Sequence, residues 1–244
     1  PLLANIYLHY ALDLWVQSWR KKQAIGDVFV VRYADDFVMG FQKWRDARAM
    51  RRALASRLAE FGLELHPEKT RVLEFGRYAR MNRERKALGK PETFEFLGFL
   101  HVAARDQQGK FQLRRQTSAK KMRAKLARIK EECRKRRHAR VAEQHAWLRR
   151  VVTGHDNYYA VPTNYDALKR FRFEVERIWY RSLARRSQRG QWGPEQIRRF
   201  AERFPLPPPK IRHPWPTDRF AARIAQGGSL VRENRPQGSV RGAG

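Results

Sequence analysis

Cysteine is nearly absent: Cys133 is the only one in 244 residues. A single thiol cannot close a disulfide within the chain or build a cysteine-based zinc site, and this usage fits a reducing cytoplasm. Long apolar runs are missing too. None approaches the ~20 residues that span a bilayer, so no membrane partner is expected. The opening PLLANIYLHYALDLW has no basic segment ahead of it, as a secretory leader would. Its first residue is proline rather than methionine, so the sequence is expected to begin inside a longer protein. Acid is scarce: 24 Asp and Glu stand against 53 Lys and Arg, a net charge of +29. So basic a surface repels itself unless it meets a polyanion, and phosphate backbones are the usual one. The excess is +6 over residues 1–100 and +23 over residues 101–244, which puts the partner surface mainly in the second half.

What is present is enough apolar material, 42% of residues, for a core of one or two domains. Residues 2–20 have helical spacing through Leu2, Ile6, Leu12, Trp15, Val16 and Trp19. VFVVRYADDFVMGF, 28–41, holds two short apolar runs around Ala-Asp-Asp, a hairpin pattern. Residues 44–61 predict an amphipathic helix with Ala47, Met50, Leu54, Leu58 and Phe61 on one face and Gly62 as its C-cap. GLELHPEKTRVLEF predicts strand, proline turn, strand. Residues 76–92, polar and without period, predict a loop. FEFLGFLHVAA (94–104) and KFQLRR (110–115) predict a second hairpin around DQQG. This is an α+β arrangement with an antiparallel sheet.

From Thr117 onward the pattern is helical. Thr117 or Ser118 would cap a first helix with Met122, Leu126, Ile129 and Cys133 in one stripe. A second carries Leu148, Val152, His155 and Tyr159. Asn164 would cap a third, with Leu168, Phe171, Val175 and Ile178. Residues 204–216 are proline-rich and extended, and 226–244 are Gly-rich, polar and expected to lack structure. No internal repeat is found.

Asp35 and Asp36 carry the sharpest chemistry. Two carboxylates at one tight turn repel each other, and a hard divalent cation relieves that repulsion. Magnesium accepts carboxylate oxygens and completes its shell with water and phosphate, as two-metal phosphoryl transfer requires. A solvated Asp-Asp turn is the plain alternative. Here the flanking apolar strands and the basic charge weigh against it.

Tyr33-Ala34-Asp35-Asp36 within FVVRYADDFVMGF resembles the catalytic block of reverse transcriptases. The neighbouring blocks are similar, in order, to those of group II intron-encoded enzymes. PLLANIYLHYALD resembles the block before the catalytic turn, GLELHPEKTRVLEFGR the block after it, and FEFLGFLH the primer grip. LRRVVTGHDNYY, the helix around Trp179 and LPPPKIRHPWP resemble the thumb or maturase domain. The resemblance covers about residues 1–220. It implies a partial palm at 1–113, a helical thumb/maturase domain at 114–216 and a flexible tail at 217–244.

The resemblance also implies roles. Asp35 would ligate Mg2+ directly, with Asp36 as a second carboxylate. Tyr33 would pack by the nucleotide and primer end, or else fill the core. Lys69 would neutralise or protonate the departing pyrophosphate, or else be an ordinary turn lysine. Phe96, Leu97 and Gly98 would position the primer, Gly98 by close backbone approach. Substrates would be an RNA template, a DNA primer and deoxynucleotides, and a further partner would be structured intron RNA.

Charge supports the last partner independently. Between Arg114 and Arg150 lie 15 Lys or Arg against 3 Glu. Arg114, Arg115, Lys120, Lys121, Arg123 and Lys125, with the contiguous Arg134, Lys135, Arg136 and Arg137, are candidates for RNA backbone contact. The four contiguous cations would face all sides of their helix. Tyr158, Tyr159 and Trp192 could stack on bases, although the tyrosines fit a helix core as well. His155 and His213 have no ligand spacing.

Such an active site also needs a third carboxylate, fingers and a Gly-Gln turn, none of which is recognisable here. Asp13 and Asp27 lie in other contexts. The chain alone is therefore expected not to polymerise. Three readings stay open: an RNA-directed DNA polymerase, an RNA-binding splicing module without chemistry, or an inactive remnant. The sequence does not give the oligomeric state.

Overall fold

A computed structural model describes residues 2–186 and 192–215. The expected disordered segment at 226–244 and the tail at 217–244 lie outside them. The architecture is α+β, with small antiparallel sheets and several helices, and the chain divides into two compact units after Arg114.

In the first unit, α1 (Leu2–Leu8) runs through a π-helical turn (His9–Asp13) into α2 (Leu14–Lys22). The wider turn interrupts the single helix expected at 2–20. A π-bulge leaves backbone carbonyls imperfectly paired, and Arg57 Nε donates to the Ala11 carbonyl at 3.2 Å. The hairpin β1 (Val28–Tyr33) and β2 (Asp36–Phe41) pairs Val28 with Phe41 and Tyr33 with Asp36. Because side chains alternate across a strand, Val28, Val30, Phe37, Met39 and Phe41 turn to one face. There they pack with Leu12, Val16 and Trp19 and with Met50, Leu54 and Leu58 of α3 (Trp44–Ala59). Asp46 of α3 is buried because its carboxylate accepts the backbone N–H groups of Ile25 and Gly26 at 3.0 and 2.9 Å. Gly40 makes room for the Phe29 ring packed across it: a Cβ there would lie 2.0 Å from that ring, which would have to turn aside.

The segment after Gly62 departs from expectation. Residues 62–75 form no strand, although Leu63 and Leu65 still pack on the helical cluster. Alternating burial puts side chains on one face, but a strand also needs a partner ladder, and Pro67 cannot donate to one. Within 76–92, expected as loop, lies the short helix α4 (Ala79–Arg85). Only Ala79 of it is buried, and an Arg80–Glu84 pair at 2.8 Å spans one turn, so no apolar stripe announces it. The run 94–104 is two strands rather than one: β3 (Phe94–Phe96) and β4 (Phe99–Arg105) fold back at Leu97-Gly98, with φ of 50° and 77°. Positive φ at both turn residues matches the twist of a tight hairpin, and glycine supplies one of them without strain. The third strand, β5 (Phe111–Thr117), lies beside β4.

The second unit is built on α5 (Ala119–Lys135), α6 (Val141–Tyr159) and α7 (Tyr165–Ala184). The expected stripes are buried: Met122, Ile129 and Cys133 meet Leu148, Val152, Phe171, Val175 and the fully enclosed Trp179. The expected caps differ in detail. Ser118 is the N-cap of α5 and Asn164 that of α7, but neither side chain bonds its own helix start. Asn164 is instead a buried cross-link. Its Oδ1 accepts the Thr117 N–H at 2.9 Å, and its Nδ2 donates to Thr117 Oγ1 and the Tyr159 carbonyl at 2.8 Å each. An unanticipated helix, α8 (Pro194–Arg203), places Phe200 4.9 Å from the Trp179 ring. Beyond it the proline-rich segment is extended, and Arg212 and His213 N–H groups bond the Ala160 carbonyl. No helix among the described residues is long and apolar enough to cross a membrane.

Candidate functional site

The β1–β2 hairpin closes through two residues, Ala34 and Asp35. Ala34 adopts φ of 54°, a left-handed conformation that costs a non-glycine residue about 1–2 kcal/mol. Its carbonyl is held by Arg32, whose Nη1 donates to it at 2.8 Å. The same guanidinium makes a bidentate pair with Asp13, at 2.8 and 2.6 Å, and reaches Asn5 Oδ1 at 3.0 Å. The Arg32 hydrogen bond and charge hold the Asp13 carboxyl below its ordinary range, and Asp13 raises Arg32 in return.

Asp35 and Asp36 behave differently. Both are exposed, and among the described residues neither carboxylate has a hydrogen-bond or ion-pair partner. Adjacent, uncommitted hard oxygens fit part of a divalent cation's shell. Among the described residues no group of three or more His, Cys, Asp or Glu could hold a metal. The turn thus offers two protein ligands and leaves positions for water, phosphate or a further carboxylate. Tyr33, 66% exposed, stands beside them on the outer face of β1 with Phe29 and Val31, which removes the alternative of a core aromatic.

The remaining residues of the first unit are less closely drawn together. Lys69 lies in an exposed turn closed by Thr70 N–H to the His66 carbonyl at 2.9 Å, and no hydrogen bond or ion pair joins it to Asp35 or Asp36. Phe96, Leu97 and Gly98 form the tip of β3–β4, so positive φ accounts for Gly98 without any close approach of a ligand. β3 and β2 come within 8 Å between Cα positions, which sets that strand near the hairpin.

In the second unit, the buried stripe of α5 forces its cations outward. Lys120, Lys121, Arg123, Lys125, Arg128, Lys130 and Arg134 are exposed and have no acidic partner among the described residues. The contiguous basic residues do not ring the helix as expected. α5 ends at Lys135, which pairs with Glu131 and Glu132 at 3.3 and 3.2 Å. Arg136 bonds Glu132 at 3.3 Å, and Arg137 lies half-buried in the following turn. Arg114 is exposed, whereas Arg115 is half-buried and donates its N–H to Thr163 Oγ1 at 3.1 Å. Tyr158 is exposed, Tyr159 half-buried, and Trp192 packs 4.9 Å from Phe200, within the aromatic core. Burial pushes the Cys133 thiol up to about 12, so it is not a nucleophile.

Two features escaped the sequence pattern. The Arg32–Asp13 pair was signalled only by a charge inside an apolar strand, a placement that demands a partner. The second is on α7, where Tyr165 and Phe173, the latter 60% exposed, lie among exposed Lys169, Arg170, Arg177 and Arg181. Phe173 falls off the stripe of Leu168, Phe171 and Val175, and that offset was the available signal.

Comparison with curated proteins yields no match to this chain. The family comparison does, and over the segment that bears the turn: residues 1–101, from α1 into β4, match the family described as reverse transcriptase (RNA-dependent DNA polymerase).

Proposed function

We propose that this chain is the catalytic-turn and RNA-gripping part of an RNA-directed DNA polymerase of the group II intron type, with a maturase role on structured intron RNA. One observation carries the reading. Within the matched residues, Asp35 and Asp36 stand at a hairpin tip, exposed and uncommitted, while the nearby charges of Arg32 and Asp13 satisfy each other. Asp35 and Asp36 would hold Mg2+, which when bound neutralises phosphate charge during transfer. They would do so where a primer 3′-hydroxyl attacks a deoxynucleotide. Tyr33 would offer its exposed ring to the nucleotide, and Phe96, Leu97 and Gly98 would support the primer. Lys69 would meet the departing pyrophosphate.

The test is primer extension on an RNA template by the gene product that contains these 244 residues. Asp35→Ala with Asp36→Ala should lower cDNA synthesis by on the order of a hundredfold to a thousandfold, the scale set by removing preorganised charge stabilisation. Undiminished synthesis would overturn the reading. A second reading, an RNA-binding splicing module without chemistry, is favoured by the α5 cations, Lys120 to Arg134, that have no acidic partner among the described residues. On that reading the same variants would leave splicing of the bound intron unchanged.

A further inference from the structure

Within β1, the side chain at position 32 lies in a strand of Val, Phe and Tyr, yet it is an arginine making four hydrogen bonds to three partners. Two go to Asp13, at the end of the π-helical turn, one to Asn5 in α1, and one to the carbonyl of Ala34. A π-bulge changes the angular register of the residues that follow it, and here Asp13 meets the guanidinium side-on, its two oxygens on Nε and Nη2. Such fork-to-fork pairs fix direction as well as distance. The fourth bond falls on the one residue of the turn with a positive φ.

We propose that Arg32 is a positioning residue for Asp35 and Asp36: its guanidinium locks Ala34 in the left-handed conformation and ties the hairpin tip to the opening helical segment, so that both carboxylates stand free toward a divalent cation. This deepens the reading of the turn as a metal-binding one, and rests on it. Asp13 has a part in the same device. By occupying the Nε–Nη2 edge of the guanidinium it keeps that edge from pairing with the carboxylates Arg32 presents, and among the described residues those carboxylates have no partner. Lysine could keep the charge but not the geometry, because one ammonium cannot serve Asp13, Asn5 and Ala34 in one plane.

Mn2+ binding to the 244-residue chain, followed by electron paramagnetic resonance, gives one readout, with Asp35→Asn as the control that should remove the bound ion. Backbone amide relaxation at Ala34 and Asp35 gives a second readout that needs no metal. Arg32→Lys is expected to weaken Mn2+ binding by about tenfold, as loss of an outer partner of a metal ligand does. It should also lower the Ala34 and Asp35 order parameters from about 0.85 toward 0.6. The double exchange Arg32→Asp with Asp13→Arg separates positioning from plain stability. It restores an ion pair but leaves position 32 without a donor for the Ala34 carbonyl, so the melting temperature should recover and Mn2+ affinity should not. Unchanged affinity and turn order in Arg32→Lys would overturn the proposal, as would recovery of Mn2+ affinity together with stability in the double exchange. Should the unaltered chain bind no Mn2+ that Asp35→Asn removes, the metal-binding reading fails. The relaxation readout then decides the clamp alone: lost turn order supports it and retained order overturns it.

Discussion

Trp179 and Trp19 are both buried tryptophans, one in each unit, and their indole N–H groups meet different fates. Trp179 donates to Gln144 Oε1 at 2.9 Å, and the Gln144 amide in turn donates to the carbonyls of Arg136, Arg137 and Ala139 just past the end of α5. Trp19 Nε1 has no hydrogen-bond partner among the described residues. The helical unit ties Asn164 and Ser182 into hydrogen bonds, leaves both ring nitrogens of His155 without a hydrogen-bond partner among the described residues, and keeps its uncommitted charge on the surface of α5. The first unit leaves apolar side chains exposed along α1, the π-helical turn and β1, among them Phe29 and Tyr33, and Leu3 and Tyr10 line a shallow hollow with Ile6, Tyr7 and Phe61. One unit is closed around its core with a cationic skin. The other carries two exposed carboxylates at a hairpin tip, where Arg32 bonds the Ala34 carbonyl.

The largest expected difference lies in the paired substitution of those tryptophans. Trp179→Phe leaves Gln144 Oε1 buried without a donor, so urea unfolding should show a loss of about 1–3 kcal/mol beyond the lost packing. Trp19→Phe removes an N–H that already lacks a partner and should cost clearly less in the same measurement. Equal losses would break the contrast between the two tryptophans.

A smaller effect should appear in acid. The Arg32 hydrogen bond and charge lower the folded-state pKa of Asp13, so the pair contributes stability that is fully present above the ordinary value of 3.8. That contribution is lost as pH falls through the lower folded value. The stability gap between the unaltered chain and Asp13→Asn should therefore be constant from pH 7 to about 5 and shrink below about 4. Denaturant titrations across that range would show it, and a gap that widens in acid would mean Asp13 is not held by Arg32.

The sequence disclosed this molecule unevenly, and the reasons are physical. The hairpin at 28–41, α3 and the buried stripes of α5, α6 and α7 each repeat with the period of their own backbone, so pattern alone locates them. α4 has no stripe because it buries only Ala79, and its Arg80–Glu84 pair is worth roughly 0.5 kcal/mol. α8 did carry signals, Gly193 followed by Pro194 and a Gln196 side chain that accepts the Gly193 N–H at 2.6 Å, but they are positional rather than periodic. The segment 62–75 had the alternation of a strand without a partner to pair with. For the candidate site, the carboxylates were legible because two acids in an apolar hairpin stand out. The Arg32 clamp was not, because it needs Asp13, 19 positions away, and a π-helical turn that no periodicity announces.

The most direct test of this division of work is a titration of structured intron RNA against three forms of the chain at several salt concentrations. The forms are the unaltered chain, the Asp35→Ala with Asp36→Ala variant, and a variant with Lys120, Lys121, Arg123 and Lys125 changed to Ala. The carboxylate variant should bind RNA as the unaltered chain does. The charge variant should bind more weakly, and its log–log salt slope should be shallower by about 3, from four lost phosphate contacts. Equal slopes for all three, or weakened binding in the carboxylate variant alone, would contradict the account.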